Sequence, residues 1–307
     1  MSQVVNRHDA PASLVAFANA PHYDSGDSDL TVTQLIDAPR VRILREKHED
    51  QIQDDVYENI FRLVGTAIHS IAEQHAGGVT TEERIFIERE GKKISGAIDV
   101  QYMNEDGTLT IGDYKFTSLH SLRFPEKWEQ QLNLYAYLVE NSGIDHPVVS
   151  RLEVYAILRD WTWRASERDR EYPQTPGVTV EVKLWSQEER EAFFKKRLAL
   201  HLLADSIHSE LGGITQCTKE EMWEKDPTYA VRSTKRDKAA EKRGGTSRAI
   251  RVLNSEEDAQ AYIDDSENED FYIEERPGER TRCENFCDVA QFCDQRNNFN
   301  NERNDDD

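Results

Sequence analysis

The apolar positions change period several times along the chain, and those changes outline its elements. Across 54–75, Val56, Ile60, Leu63, Val64, Ala67, Ile68 and Ile71 recur at three- and four-residue steps, the spacing that lines one face of a helix. Gly77 and Gly78 mark its end. Three strand-like runs follow, 84–89, 93–102 and 108–116, with turn residues between them. The helical period returns after Pro125 through Trp128, Leu132, Tyr135, Leu138 and Val139, then 152–158 and 178–184 read as strands and 187–211 as a long helix. A first helix is expected after Thr31 or Thr33, either of which can cap an N-terminus. Strands interleaved with helices predict an α/β fold with a central mixed β-sheet flanked by helices.

This pattern divides the chain into a flexible lead-in over 1–30, a main core over 31–212, a subdomain over 213–296 that carries all four cysteines, and a tail over 297–307. The tail is almost entirely Asn, Asp, Glu and Arg, a composition that predicts disorder. A length of 307 residues suits one large core with an appendage. No stretch approaches the ~18 apolar residues needed to span a bilayer, and no basic, apolar and small-residue leader pattern opens the sequence. The expectation is a soluble, cytoplasmic protein with no membrane partner.

Charge qualifies that picture. A net charge of −21 argues against a polyanionic partner, because phosphate binding draws on Lys and Arg. Locally the balance reverses: Arg232, Lys235, Arg236, Lys238, Lys242, Arg243, Arg248 and Arg251 face only Asp237 and Glu241. That basic island is either a strand-binding surface, with Trp223 and Tyr229 nearby as stacking platforms, or a solvated loop. Trp161 and Trp163, one residue apart, read as packing residues.

The chemistry concentrates on the second and third strands. They meet through Glu105-Asp106-Gly107, where Gly107 suits a left-handed position closing a three-residue loop. With Asn104 opposite Thr108, counting back places Asp99 opposite Asp113, and Lys115 shares the face of Asp113. Two carboxylates roughly 5 Å apart repel unless a positive charge lies between them. Oxygen donors favour Mg²⁺ or Mn²⁺, with Lys115 placed to orient a water or neutralise developing charge. The plainer alternative is that all three are solvent-facing strand residues with one ordinary ion pair.

Four motifs in order, Gly65-Thr-Ala-Ile-His69, Gly96-Ala-Ile-Asp99, Asp113-Tyr-Lys115 and Gln131-Leu-Asn-Leu-Tyr135, resemble the PD-(D/E)XK nuclease superfamily, in its RecB-like branch of recombination, CRISPR-associated and phage nucleases. The resemblance covers about 31–160. It implies a restriction-endonuclease-like core in which His69, Asp99, Asp113 and the Tyr114 carbonyl bind the metal and Lys115 is the catalytic lysine. Gln131 and Tyr135 would contact DNA or brace Lys115, and Glu82 or Glu83 would join as a further acid. The implied function is a DNA exonuclease acting on single strands or ends in recombination and repair, with an annealing protein or a helicase as a further partner. Two alternatives stand beside it: a nuclease that trims spacers in CRISPR adaptation, and a DNA-binding module without catalysis.

Cys283, Cys287 and Cys293 lie close together and Cys217 stands apart. Four thiolates can hold zinc or a 4Fe-4S cluster, and free thiols are the third possibility. The one-plus-three spacing and the resemblance both favour a 4Fe-4S cluster in an iron-sulfur subdomain. The segments Cys217-Thr-Lys-Glu-Glu-Met-Trp223 and Pro277-Gly-Glu-Arg-Thr-Arg-Cys283 are similar to phage-type members, whereas in other members the lone cysteine precedes the nuclease motifs.

Overall fold

The computed structural model describes residues 3–20, 26–74, 80–143, 147–266 and 268–305. It divides into two compact units, Met1–Thr215 and Gln216–Asp307. In the first, the chain runs β1 (Gln3–Val5), α1 (Ala12–Ala18), β2 (Leu30–Thr31), α2 (Val32–Leu35), α3 (Pro39–Lys47), β3 (Gln53–Asp55), α4 (Ile60–Gln74), β4 (Thr80–Arg89), β5 (Lys92–Met103) and β6 (Leu109–Thr117). It continues through α5 (Glu126–Asn141), β7 (Val149–Leu158), α6 (Trp163–Ser166), β8 (Gly177–Val182) and α7 (Gln187–Leu211).

A six-stranded mixed sheet forms the centre, with strand order β2-β5-β6-β7-β8 and β4 beside β5. The β4–β5, β5–β6 and β7–β8 pairs are antiparallel, and β2–β5 and β6–β7 are parallel. Helix α5 provides the crossover that a parallel β6–β7 pair requires. Ten of its side chains are buried, which is why its apolar pattern is nearly continuous rather than one-sided. Asn133, fully buried within it, donates to Glu129 O and Lys183 O and accepts from Trp185 N–H (each 2.8 Å), fixing the chain between β8 and α7. Tyr137 stacks on Phe194 of α7 at 4.5 Å.

The β5–β6 hairpin turns at Gly107 with φ +80°, and Asn104 N–H donates to Thr108 O at 2.8 Å. Its register runs from Met103↔Leu109 to Val100↔Gly112. There the ladder stops. β4 occupies one edge of β5 from Lys92 to Gln101, so β2, at Ile94 and Ser95, must share the other edge with β6. Residues 96–99 lie between those two partners, in a fork of the sheet.

Three boundaries differ from the sequence pattern. Helix α4 begins at Ile60 rather than 54 because Gln53–Asp55 pairs with Gln3–Val5, and the Asp55 carboxylate accepts N–H groups from Arg7, Tyr57 and Glu58. The same pairing orders part of the expected flexible lead-in; the Gly77-Gly78 stop and residues 21–25 of the lead-in lie outside the described residues. The tail expected to be disordered carries α12 (Asp294–Asp305), with the Arg280 guanidinium 3.9 Å over the Phe299 ring.

The second unit begins with α8 (Lys219–Met222), β9 (Glu224–Lys225), β10 (Thr228–Ser233), α9 (Thr234–Glu241) and β11 (Arg251–Leu253). It ends with α10 (Glu256–Ser266), β12 (Phe271–Arg276), β13 (Glu279–Arg280), α11 (Thr281–Asn285) and α12. β10 is central between β11 and β12. Among the described residues no helix is long and apolar enough to cross a membrane.

Candidate active site

Asp99 fills the fork. Beyond Gly112, β6 leaves β5 and runs with β7 to Thr117, so Tyr114 N–H would lose its ladder partner. Asp99 Oδ2 accepts that N–H at 2.7 Å. A carboxylate thus replaces a strand carbonyl at the point where the sheet splits. Gly96 of the same motif is needed for a different reason: a Cβ there would lie 2.8 Å from the Tyr135 ring.

His69, on α4, faces the same point. Its Nδ1 is 3.4 Å from Asp99 Oδ2 and its Nε2 is 3.1 Å from the Tyr114 carbonyl oxygen. Both ring nitrogens therefore face oxygen acceptors. Either a doubly protonated ring or a cation taking the hydrogens' place completes such an arrangement.

Asp113 is buried, with Lys115 Nζ 2.5 Å from Oδ2. The Lys115 ammonium is thus the close partner of Oδ2. Oδ1 accepts from Gln131 Nε2 at 3.2 Å, and the same amide donates to Tyr135 Oη at 2.7 Å. Burial pushes the Asp113 carboxyl up to about 6; Lys115 opposes this and Asp99 adds to it. For Lys115, burial acts to lower the pKa, but Asp113 and Asp99 outweigh it and the net shift is upward. The site therefore holds an ammonium against one buried and one partly liganded carboxylate, with oxygen donors of the type a small divalent cation prefers. Asp99, Asp113, the Tyr114 carbonyl and His69 are donors of that type, although the ligand atoms of His69, Asp99 and Asp113 do not all lie within 4.8 Å of one another.

The remaining sequence-derived residues fare differently. Glu83 accepts from Gln101 Nε2 at 2.6 Å, and the Glu82 side chain lies outside the described residues. Arg232 is not a free cation: it pairs with Asp237 (2.7 Å) and Glu274 (2.6 Å), and Asp237 also accepts from Ser247 and Tyr272. Lys235 pairs with Asp270 at 3.2 Å yet stays largely exposed, and Arg236, Lys242 and Arg243 are exposed. Trp161 packs edge-on to Trp163 and donates its indole N–H to Pro173 O at 2.7 Å, whereas Trp163 itself is exposed.

In the second unit all four cysteines are free. Cys283 is within electrostatic reach of Cys287 and Cys293. Cys217 is tied to the same segment by Gln295, whose Oε1 accepts Cys217 N–H (2.8 Å) and whose Nε2 donates to Cys217 O (3.0 Å). Burial pushes the Cys283 and Cys287 thiols up, so binding a metal there requires proton release. Nothing in the cysteine spacing singles out Gln295.

One further group, His8, Asp55 and Glu58, has ligand atoms all within 4.8 Å of one another, the one trio of His, Cys, Asp or Glu among the described residues to do so. Asp55 already accepts three backbone N–H groups there, so a cation would compete with hydrogen bonds that hold a turn.

No family model and no curated protein matches the chain. Among solved structures, one described as the crystal structure of SSO0001 is similar over 61% of this chain and 82% of its own, at 16% identity and a TM-score of 0.39.

Proposed function

We propose that this protein is a metal-dependent deoxyribonuclease of PD-(D/E)XK type that acts on single strands or DNA ends, with a 4Fe-4S cluster bound by Cys217, Cys283, Cys287 and Cys293. The observation that carries the nuclease reading is the convergence of His69, Asp99, the Tyr114 carbonyl, Asp113 and Lys115 on one fork of the sheet. Those residues come from three elements, and chance alone rarely gathers a lysine, a histidine and two mostly buried carboxylates.

Asp99, Asp113, His69 and the Tyr114 carbonyl would hold Mg²⁺ or Mn²⁺, which when bound supplies positive charge to a phosphate and acidifies a water. Lys115, paired with Asp113 at the fork, would hydrogen-bond a scissile phosphate oxygen or orient the attacking water. Gln131 holds Asp113 in place, and Tyr135, packed over Gly96, holds Gln131. Above about pH 6 Asp113 is ionised and able to ligate.

For the cluster, support lies in the four-thiol donor set and in Gln295 joining the lone cysteine to the other three.

The test is anaerobic purification and incubation with end-labelled single- and double-stranded DNA and Mn²⁺ or Mg²⁺. A brown protein that releases nucleotides, with Lys115→Ala slowed roughly 100-fold or more, supports the reading. A colourless protein with stoichiometric zinc and no cleavage refutes it.

A further inference from the structure

An aromatic and cationic platform stands beside the fork, outside the residues assigned above. Phe61 lies on α4, the helix that carries His69, eight residues earlier and so ~12 Å along its axis. Its ring is 52% exposed. The Arg159 guanidinium lies over it at 4.4 Å, and Phe116, the residue after Lys115 on β6, packs against it at 6.3 Å. The platform is built rather than accidental: Arg159 N–H donates to Thr117 O at 2.8 Å and Asp160 Oδ1 accepts Leu119 N–H at 2.8 Å, which fastens the Arg159 loop to the end of β6. Two more exposed rings share these segments, Phe124 at 57%, tilted against His120 at 4.9 Å, and Trp163 at 66%.

A chain of net charge −21 gains nothing in solubility from large exposed rings. Near a phosphodiester site their chemistry fits unpaired nucleobases, which stack on aromatic faces and on guanidinium planes. A duplex keeps its bases stacked on one another and offers them nothing. We infer that Phe61 and Arg159 form a base-stacking subsite that binds an unpaired nucleotide flanking the scissile phosphate, making single strands and frayed ends the preferred substrate. This rests on the nuclease reading and deepens it.

The experiment uses the full-length protein with Ca²⁺ in place of Mn²⁺, and a short oligothymidylate carrying one 2-aminopurine, with the matching duplex as control. Wild type is expected to quench the 2-aminopurine and to bind the single strand more tightly than the duplex. Phe61→Ala should lose the quench and roughly tenfold in single-strand affinity, with duplex affinity unchanged. Phe61→Trp should keep both, and Arg159→Ala should fall between. Because Phe61 is half exposed its truncation is tolerated by the fold, and a melting curve checks this. Wild-type quenching and affinity in both Phe61→Ala and Arg159→Ala would overturn the inference while leaving the nuclease reading intact. A wild type that binds neither form and cleaves nothing would overturn both.

Discussion

In the first unit the candidate ligands are presented mainly by a sheet, and in the second by two chain segments joined through side chains such as Gln295 and Arg282 and a two-residue strand pair. Asp99 and Asp113 inherit their positions from hairpin register and from a fork that two strands create by sharing one edge of β5. The cysteines owe theirs to short helices and turns and to the Gln295 pair with Cys217, 78 residues away. A sheet fixes its donors before any ion arrives; the cysteines sit on short helices and turns, which gain more from what they bind. The two regions should therefore respond differently to single substitutions.

The largest effect is expected at the fork. Asp113→Asn or Lys115→Met should reduce cleavage roughly 100- to 1,000-fold while leaving DNA affinity within a few-fold, measured by end-label release and by anisotropy. Equal loss of binding and cleavage would instead indicate a collapsed sheet.

Next comes the glutamine. Gln295→Ala removes two hydrogen bonds to Cys217, roughly 2 kcal/mol in all, and should lower iron per chain and visible absorbance after anaerobic purification. If Gln295→Ala retains iron under a chelator as long as wild type does, the lone cysteine is held by something else.

A pH dependence sharpens the contrast. The Asp113 carboxyl rises from 3.8 to about 6 on folding, so the folded chain holds that proton more tightly than the unfolded one. Stability of the cation-free protein is then greatest at low pH as far as this group is concerned, and falls between pH 3.8 and 6 by about 3 kcal/mol. The difference between wild-type and Asp113→Asn melting curves should carry that slope. Mn²⁺ affinity should follow the opposite course, dropping about tenfold per pH unit below pH 6.

The smallest effects separate two kinds of arginine and lysine. Arg232→Ala should lower the melting temperature, because Asp237 and Glu274 lose their partner, and should not change the salt dependence of DNA binding. Lys242→Ala and Arg243→Ala should leave melting unchanged and each reduce the salt slope by about 1.

Local chemistry explains what the sequence revealed. Gly107 and its three-residue loop set a register that counting follows from Met103↔Leu109 to Val100↔Gly112 but not to the expected Asp99–Asp113 pair, where the strands have parted, and the alternating and helical runs located β4–β8, α5 and α7 to within a few residues. Where a distant partner decides, the pattern was silent. β2 claims its edge of β5 from residue 30, so the fork was not visible. Arg7 and the Gln3–Val5 strand reach Asp55 from about 50 residues away and delay the start of α4. Arg232 reads as a basic residue in an island, yet one of its acids lies 42 residues further on. Phe61 is not among the apolar positions that define the α4 period, and nothing in the sequence marked its exposed ring.

Manganese binding tests the central claim most directly, followed as loss of the free Mn²⁺ paramagnetic signal in wild type, Asp113→Asn and Glu58→Gln. One tight site in wild type, abolished by Asp113→Asn and retained in Glu58→Gln, is the predicted result. A tight site that survives Asp113→Asn and disappears with Glu58→Gln would move the ion to the His8 and Asp55 turn and contradict the catalytic fork.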